Sequence, residues 1–168
     1  MLRYTLAIIR SRNEVLMINR NKAPWQGCWN GIGGKLEPGE SPVTCVTREI
    51  WEETGLKVNE PLYRGIASWN PTGEPLQGMY LYLIDLQDCD RPASPVATRE
   101  GILDWKAIDW IVAEENFGAV PTLRYLMPDI LDPDTYPAAE FHFDFEGDVI
   151  CSTEKRALPE DFLFSHSN

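Results

Sequence analysis

The segment "GGKLEPGESPVTCVTREIWEETGL", Gly33 to Leu56, constrains this chain more than any other stretch. Ser41-Pro42 offers a helix N-cap followed by proline at the first helical position, and Gly55 stands where a helix end takes a left-handed residue. Between them the spacing predicts a helix of roughly thirteen residues. Val43, Val46, Ile50 and Thr54 recur at helical spacing and form one face to bury. Glu49, Glu52 and Glu53, related as i, i+3 and i+4, project their carboxylates from another. Arg48 is placed to pair with Glu52 four residues on, and Glu40, just before the cap, can face the same region. Carboxylates gathered on a rigid element suit hard divalent cations. The preceding Gly33-Gly34 lets the backbone approach that site, and Lys35 adds a cation for phosphate oxygens. Against the plainer reading of a solvated charged face, the combination points to metal-assisted phosphate chemistry.

The flanking sequence predicts where this helix packs. Leu2–Arg10 and Glu14–Asn19 read as paired strands across a short polar turn, and Trp29–Ile32 as a short strand inside a loop rich in Gly, Pro and Trp. Strands follow at Tyr63–Trp69 and Met79–Leu86, joined by the turn-rich "NPTGEPLQG". A polar loop then leads to the mixed segment "ILDWKAIDWI", and Ala119–Leu131 reads as a second helix limited by Pro121 and Pro128. Near the C-terminus Phe141, Phe143 and Phe145 alternate with His142 and Asp144, the pattern of a strand that turns at "EGD" into a partner. With no repeat and no long linker, one domain over residues 1–168 is expected, of α+β class with helices packed on a mixed sheet.

Composition narrows the partners. A formal net charge of −11 repels a nucleic acid polymer, whereas a small anion bridged by metal ions remains compatible with it. Four scattered cysteines and two distant histidines form neither a zinc pattern nor a disulfide framework. The opening apolar run is too short for a signal peptide or a membrane span, so a cytoplasmic protein without membrane contact is expected.

Gly34, five residues, Glu40, seven residues, then Arg48-Glu49-Ile50-Trp51-Glu52-Glu53-Thr54-Gly55-Leu56 reproduces the signature of the Nudix hydrolases, and on these residues the chain resembles that family. The resemblance implies an α/β/α sandwich around a mixed sheet and hydrolysis of a nucleoside diphosphate linked to a further group, with Mg2+ or Mn2+. It implies Glu49, Glu52 and Glu53 as metal ligands with the Gly33 carbonyl, Glu49 as the first choice of base, and Glu100 as a remote carboxylate completing the site. "YTLAIIR", "WNGIGGKLEPGES" and "FHFDFEGDVICSTEKR" are further similar, in the same order, to the mammalian oxidised-purine nucleoside triphosphatases that act on 8-oxo-dGTP and so serve nucleotide-pool sanitation and DNA repair. That similarity implies Asn30 as reader of the purine edge, Thr5 in the base pocket, and Arg20 and Lys35 near sugar and phosphates. Trp105 matches a Trp of those enzymes but reads as core packing.

One departure bears on the base. Where those enzymes carry a Trp-Pro-Asp-Asp segment, this chain has "NFGAVPTLRY", without a carboxylate pair. Phe117 is the ring there that could stack on a base. Pro71 keeps ADP-ribose or a related nucleotide sugar open as substrate, RNA caps and dinucleoside polyphosphates stay open too, and a non-catalytic Nudix-fold binding module is the alternative outside enzymology. The partner expected in every case is a small nucleotide, bound by a monomer or homodimer.

Overall fold

A computed structural model describes residues 2–71, 75–132, 134, 139–158 and 162. The chain forms strands β1 (Tyr4–Ser11), β2 (Glu14–Arg20) and β3 (Trp29–Asn30), helix α1 (Pro42–Thr54), and strands β4 (Leu62–Trp69), β5 (Gln77–Asp85), β6 (Val96–Ala97) and β7 (Gly101–Ala107). Helices α2 (Ile108–Val112) and α3 (Leu123–Leu131) follow, and then the hairpin β8 (Ala139–Glu146) and β9 (Val149–Ala157). The helix predicted between Ser41 and Gly55 is thus present with its caps. Ser41 Oγ accepts from the Thr44 N–H at 3.1 Å, Pro42 opens the first turn, and Gly55, at φ 74°, donates its N–H to the Trp51 carbonyl.

The nine strands among the described residues join one sheet in the order β6-β7-β2-β1-β5-β4-β8-β9, with β3 paired to β2. The sheet is mixed: β1 runs parallel to β5 and β4 parallel to β8, while the other pairings are antiparallel. Alternation along the strands sorts apolar side chains into two layers. Ala7, Ile9, Leu16, Ile18, Tyr80 and Tyr82 pack with Val46 and Ile50 of α1. Leu6, Ile8, Val15, Met17, Leu81 and Leu83 pack on the opposite face with Ile111 of α2 and Leu123, Leu126 and Met127 of α3. The result is the expected α/β/α sandwich. Burying Val46 and Ile50 contributes about 1.5–3 kcal/mol each, which fixes α1 with its acidic face away from the sheet.

The pairing of β1 with β2 explains how the glycines reach the helix. The two strands pair directly only near their turn, at Ile9–Leu16, Arg10–Val15 and Ser11–Glu14. Farther along, residues 29–35 wedge between them: Asn30 pairs with Ile18 of β2, while Ile32 and Lys35 bridge to Ala7 and Tyr4 of β1.

Elsewhere the structure refines the expectations. The mixed segment resolves into β7 followed by α2. Helix α3 starts at Leu123 rather than Ala119, because Ala119 and Val120 are engaged with Trp29, whose carbonyl accepts the Val120 N–H at 2.9 Å. Pro128 lies inside α3. Trp105 is buried core. The centre of the predicted "NPTGEPLQG" turn lies outside the described residues.

Candidate functional site

Arg48 organises the N-terminal half of the site. Its Nε donates to Glu40 Oε1 at 2.8 Å and its Nη2 to Glu40 Oε2 at 3.0 Å, a bidentate fork, while Nη1 donates to Glu49 Oε1 at 2.8 Å. Such paired, charge-assisted bonds fix geometry as well as energy. The Arg48–Glu52 pair predicted from the i, i+4 spacing is present but longer, at 3.5 Å, and Glu52 is 57% exposed. The guanidinium holds the Glu40 carboxyl down at about 2. Glu49 moves the other way, raised by burial despite its bond to Arg48.

The glycine pair forms the opposite wall. A Cβ on Gly34 would come within 2.3 Å of the Glu49 carboxyl group, and one on Gly33 within 2.2 Å of the Thr5 carbonyl oxygen. Only glycine lets these backbones close on the helix and on β1. The carbonyls of Ile32 and Gly34 accept from Ala7 and Thr5, so the Gly33 carbonyl between them points away from β1, as alternation along an extended segment requires.

One turn beyond Glu49, Glu53 is in a different state. Burial, then the charge of Glu49, raises its carboxyl to about 8; Arg20 pulls it down, and Glu100 and Glu52 push it up further. Its Oε2 is buried without a hydrogen-bond partner. A buried carboxylate oxygen left bare is costly, and a divalent cation is the partner that would satisfy it while tolerating the neighbouring glutamates. The donor set is all oxygen, as a hard cation prefers. As placed, no three His, Cys, Asp or Glu groups among the described residues close on one point: Arg48 draws Glu40 and Glu49 to itself, and Glu52 points into solvent. The observation that fits a cation here is the bare, buried oxygen of Glu53.

The residues expected to serve the substrate divide. Arg20 and Glu100 come near enough to Glu53 to act on its charge; Arg20 Nε is held by the Pro24 carbonyl at 3.1 Å, and Glu100 pairs with Lys22 at 3.2 Å. Asn30 sits on β3, its Oδ1 accepting the Gly31 N–H at 2.9 Å, which leaves its NH2 group to donate elsewhere. Phe117 is 88% exposed. Its loop is braced, since Asn116 Nδ2 donates to the Trp110 carbonyl at 2.6 Å, Gly118 N–H donates to Asn116 Oδ1 at 2.9 Å, and the Gly118 carbonyl accepts from Trp29 N–H at 2.8 Å. A large ring is thereby held in water beside β3. Lys35 gives its carbonyl to Arg48 Nη2 at 3.3 Å and lines an open hollow near the N-terminus of α1 with Arg3, Pro38 and Tyr80, apart from Glu53.

Thr5, expected near the base, lies on the α1 side of β1, 3% exposed, with Oγ1 3.5 Å from Cys45 Sγ, under the helix. Reading the sequence also missed Cys45 itself; its place three residues before Arg48 was legible, its contact with β1 was not. Nor did it foresee that Ser68, Glu140 and His142 are all buried together. Ser68 Oγ lies 2.9 Å from His142 Nδ1, and Asp144 Oδ1 lies 3.5 Å from His142 Nε2, an apparent nucleophile–base–acid series. It is no hydrolytic site: Ser68 is fully buried and donates to Glu140 Oε1 at 2.5 Å.

The NUDIX domain family model matches residues 1–130. The oxidized purine nucleoside triphosphate hydrolase of Mus musculus is 28% identical over 157 residues, covering 92% of this chain and 94% of that protein. The ADP-ribose pyrophosphatase of Methanocaldococcus jannaschii is 47% identical, but over 49 residues and 29% of each chain. Of several other curated relatives the chain covers only 17–24% of the length. Among solved structures, the MutT protein of Bacillus halodurans superposes with a TM-score of 0.69 at 26% identity, over 92% of this chain and 97% of that one. No helix among the described residues is long and apolar enough to cross a membrane.

Proposed function

The chain belongs to the Nudix hydrolase family, and from that premise we propose that it hydrolyses a purine (deoxy)nucleoside triphosphate, with oxidised purines such as 8-oxo-dGTP among its substrates, to the monophosphate and pyrophosphate. The end-to-end match to the mouse oxidized purine nucleoside triphosphate hydrolase carries this reading. Mg2+ or Mn2+ is the cofactor; bound at Glu53 with Glu49, Glu52, Glu100 and the Gly33 carbonyl, it would neutralise the phosphates and activate water. Glu49, held through one oxygen by Arg48, takes the proton of the water that attacks an internal phosphorus. The new P–O bond forms as the bridging anhydride P–O bond breaks, and pyrophosphate leaves. Arg20 offsets charge near Glu53, Asn30 donates to the base edge, and Phe117 gives it a stacking face. Base stacking on an aromatic ring supplies about 1–3 kcal/mol, and Phe117 is held in water ready to do so. The protein acts as a single domain on a free nucleotide in the cytoplasm.

ADP-ribose is the second reading. It rests on the 47% identity over 49 residues to an ADP-ribose pyrophosphatase and on Pro71. A panel assay with Mg2+ separates the two: pyrophosphate release from 8-oxo-dGTP, 2-hydroxy-dATP and the ordinary nucleoside triphosphates, against ribose 5-phosphate release from ADP-ribose. A purine triphosphate is expected to show the highest kcat/KM. A higher value on ADP-ribose replaces the leading reading with the second.

A further inference from the structure

We propose that Thr5 is a positioning residue of the carboxylate site, acting through Cys45 on the Arg48 fork that aims Glu49. Along β1, Ala7 and Ile9 face the layer under α1, and Thr5, two residues earlier, faces it too. Its Oγ1 lies 3.5 Å from Cys45 Sγ, and Arg48 Nη2 lies 3.7 Å from the same sulfur. A guanidinium only donates, so the sulfur accepts from Arg48, while in its contact with Thr5 Oγ1 either atom can be the donor. The thiol stays protonated in this setting, because burial raises it to about 11. The same residue holds the other wall of the site through its main chain. Thr5 N–H donates to the Gly34 carbonyl at 2.9 Å, and its own carbonyl oxygen abuts Gly33. Glu49 is therefore clamped between Arg48 and Gly34, and Thr5 supports both, one by side chain and one by backbone. Thr5 thus adjusts catalysis and metal affinity for every nucleotide alike, whereas a wall of the base pocket would discriminate among bases.

The inference rests on the phosphohydrolase reading for its kinetic arm only. Thr5→Val keeps the branched shape and strand preference and removes the hydroxyl, so the fold is expected to survive; thermal melting checks this. Relative to wild type, kcat is expected to fall about tenfold, the low end of what outer-shell supports of a metal site contribute. KM should hold, the loss should be the same on purine and pyrimidine triphosphates, and affinity for Mn2+ alone should weaken by a similar factor. Thr5→Ser should restore both. Cys45→Ala should reproduce the loss, and the double variant should lose no more than either single one. A rise in KM confined to one base, with Mn2+ affinity intact, would overturn the proposal and return Thr5 to the base pocket. Additive losses in the double variant would break the relay through Cys45, and unchanged kcat and Mn2+ affinity in Thr5→Val would remove the role outright. If the wild-type protein hydrolyses no nucleotide in the panel, the proposed function falls while the Mn2+ titration still decides the place of Thr5.

Discussion

Glu40 and Glu53 bracket α1, and their surroundings drive them in opposite directions. Glu40, with a side chain only 8% exposed, accepts two bonds from one guanidinium and is held at about 2. Glu53, deeper in the protein, has no cation bonded to it, keeps one bare oxygen, and is pushed up to about 8. Burial alone does not decide whether a carboxylate ionises. The partner does. A paired carboxylate is structure already complete, while an unpaired one of the same type thirteen residues on, within the helix, is the group with unspent capacity to bind a cation.

The sharpest way to break this contrast is Glu53→Gln. Removing several kcal/mol of charge stabilisation by a metal ligand should lower kcat on the order of a thousandfold, while the melting temperature without metal stays level or rises because a bare buried carboxylate is gone. A variant that keeps full turnover would show that Glu53 is not a ligand. Next in size, Gly34→Ala places a methyl group against the Glu49 carboxylate. Pyrophosphate release should drop by about 10- to 100-fold, the range seen when a metal site's supports are disturbed, with circular dichroism unchanged. Arg48→Lys keeps the charge and loses the fork to Glu40; chemical denaturation should report a loss of about 1–3 kcal/mol, and a loss near zero would mean Glu40 finds its bonds elsewhere.

The smallest effect is the dependence on pH, and it has two signs. Folded Glu40 titrates at about 2 against an ordinary 4.5. Over that window the unfolded chain holds more protons, so stability from this group is present above 4.5 and lost as pH falls toward 2. Folded Glu53 titrates at about 8 against the same 4.5. Here the folded chain holds more protons, so its contribution is greatest below 4.5 and declines as pH rises toward 8. Because the metal competes with that proton, Mg2+ affinity should climb from pH 5 to 8, and saturating Mg2+ should abolish the decline. Calorimetric titrations at three pH values test this, and a flat Mg2+ affinity would separate Glu53 from the metal.

Much of α1 could be read in advance because its determinants are local. Ser41, Pro42 and Gly55 set its ends, and the spacing of Val46 and Ile50 against Glu49 and Glu53 set its two faces. Strands β1 to β5 and the β8–β9 hairpin were legible for the same reason, with ends displaced by a residue or two, whereas β6 falls in a stretch read as a polar loop and β7 in one read only as mixed. Segments whose state depends on a distant partner were not. Ala119 and Val120 look helical but are bound to Trp29, and His142, which alternation sets opposite Phe141 and Phe143, is buried against Ser68 together with Glu140. Among the site residues, the glutamates could be assembled from i, i+3, i+4 spacing, whereas Thr5 was placed by similarity in a pocket and is found under the helix.

By itself the sequence determined the helix, its acidic face and the glycines before it, since each rests on dihedral preference or on periodicity within one element. Tertiary structure alone decided which glutamate is which. Arg48 could have spent its fork on Glu52, its neighbour at helical spacing, but residues 29–35 wedge between β1 and β2 and the chain returns Glu40 to its side. That return pairs Glu40 and leaves Glu53 buried beside Glu49 without a cation. The partner that sets the charge of Glu40 stands eight residues away, the groups that act on Glu53 include Arg20 and Glu100 from far along the chain, and spacing within a helix reports neither.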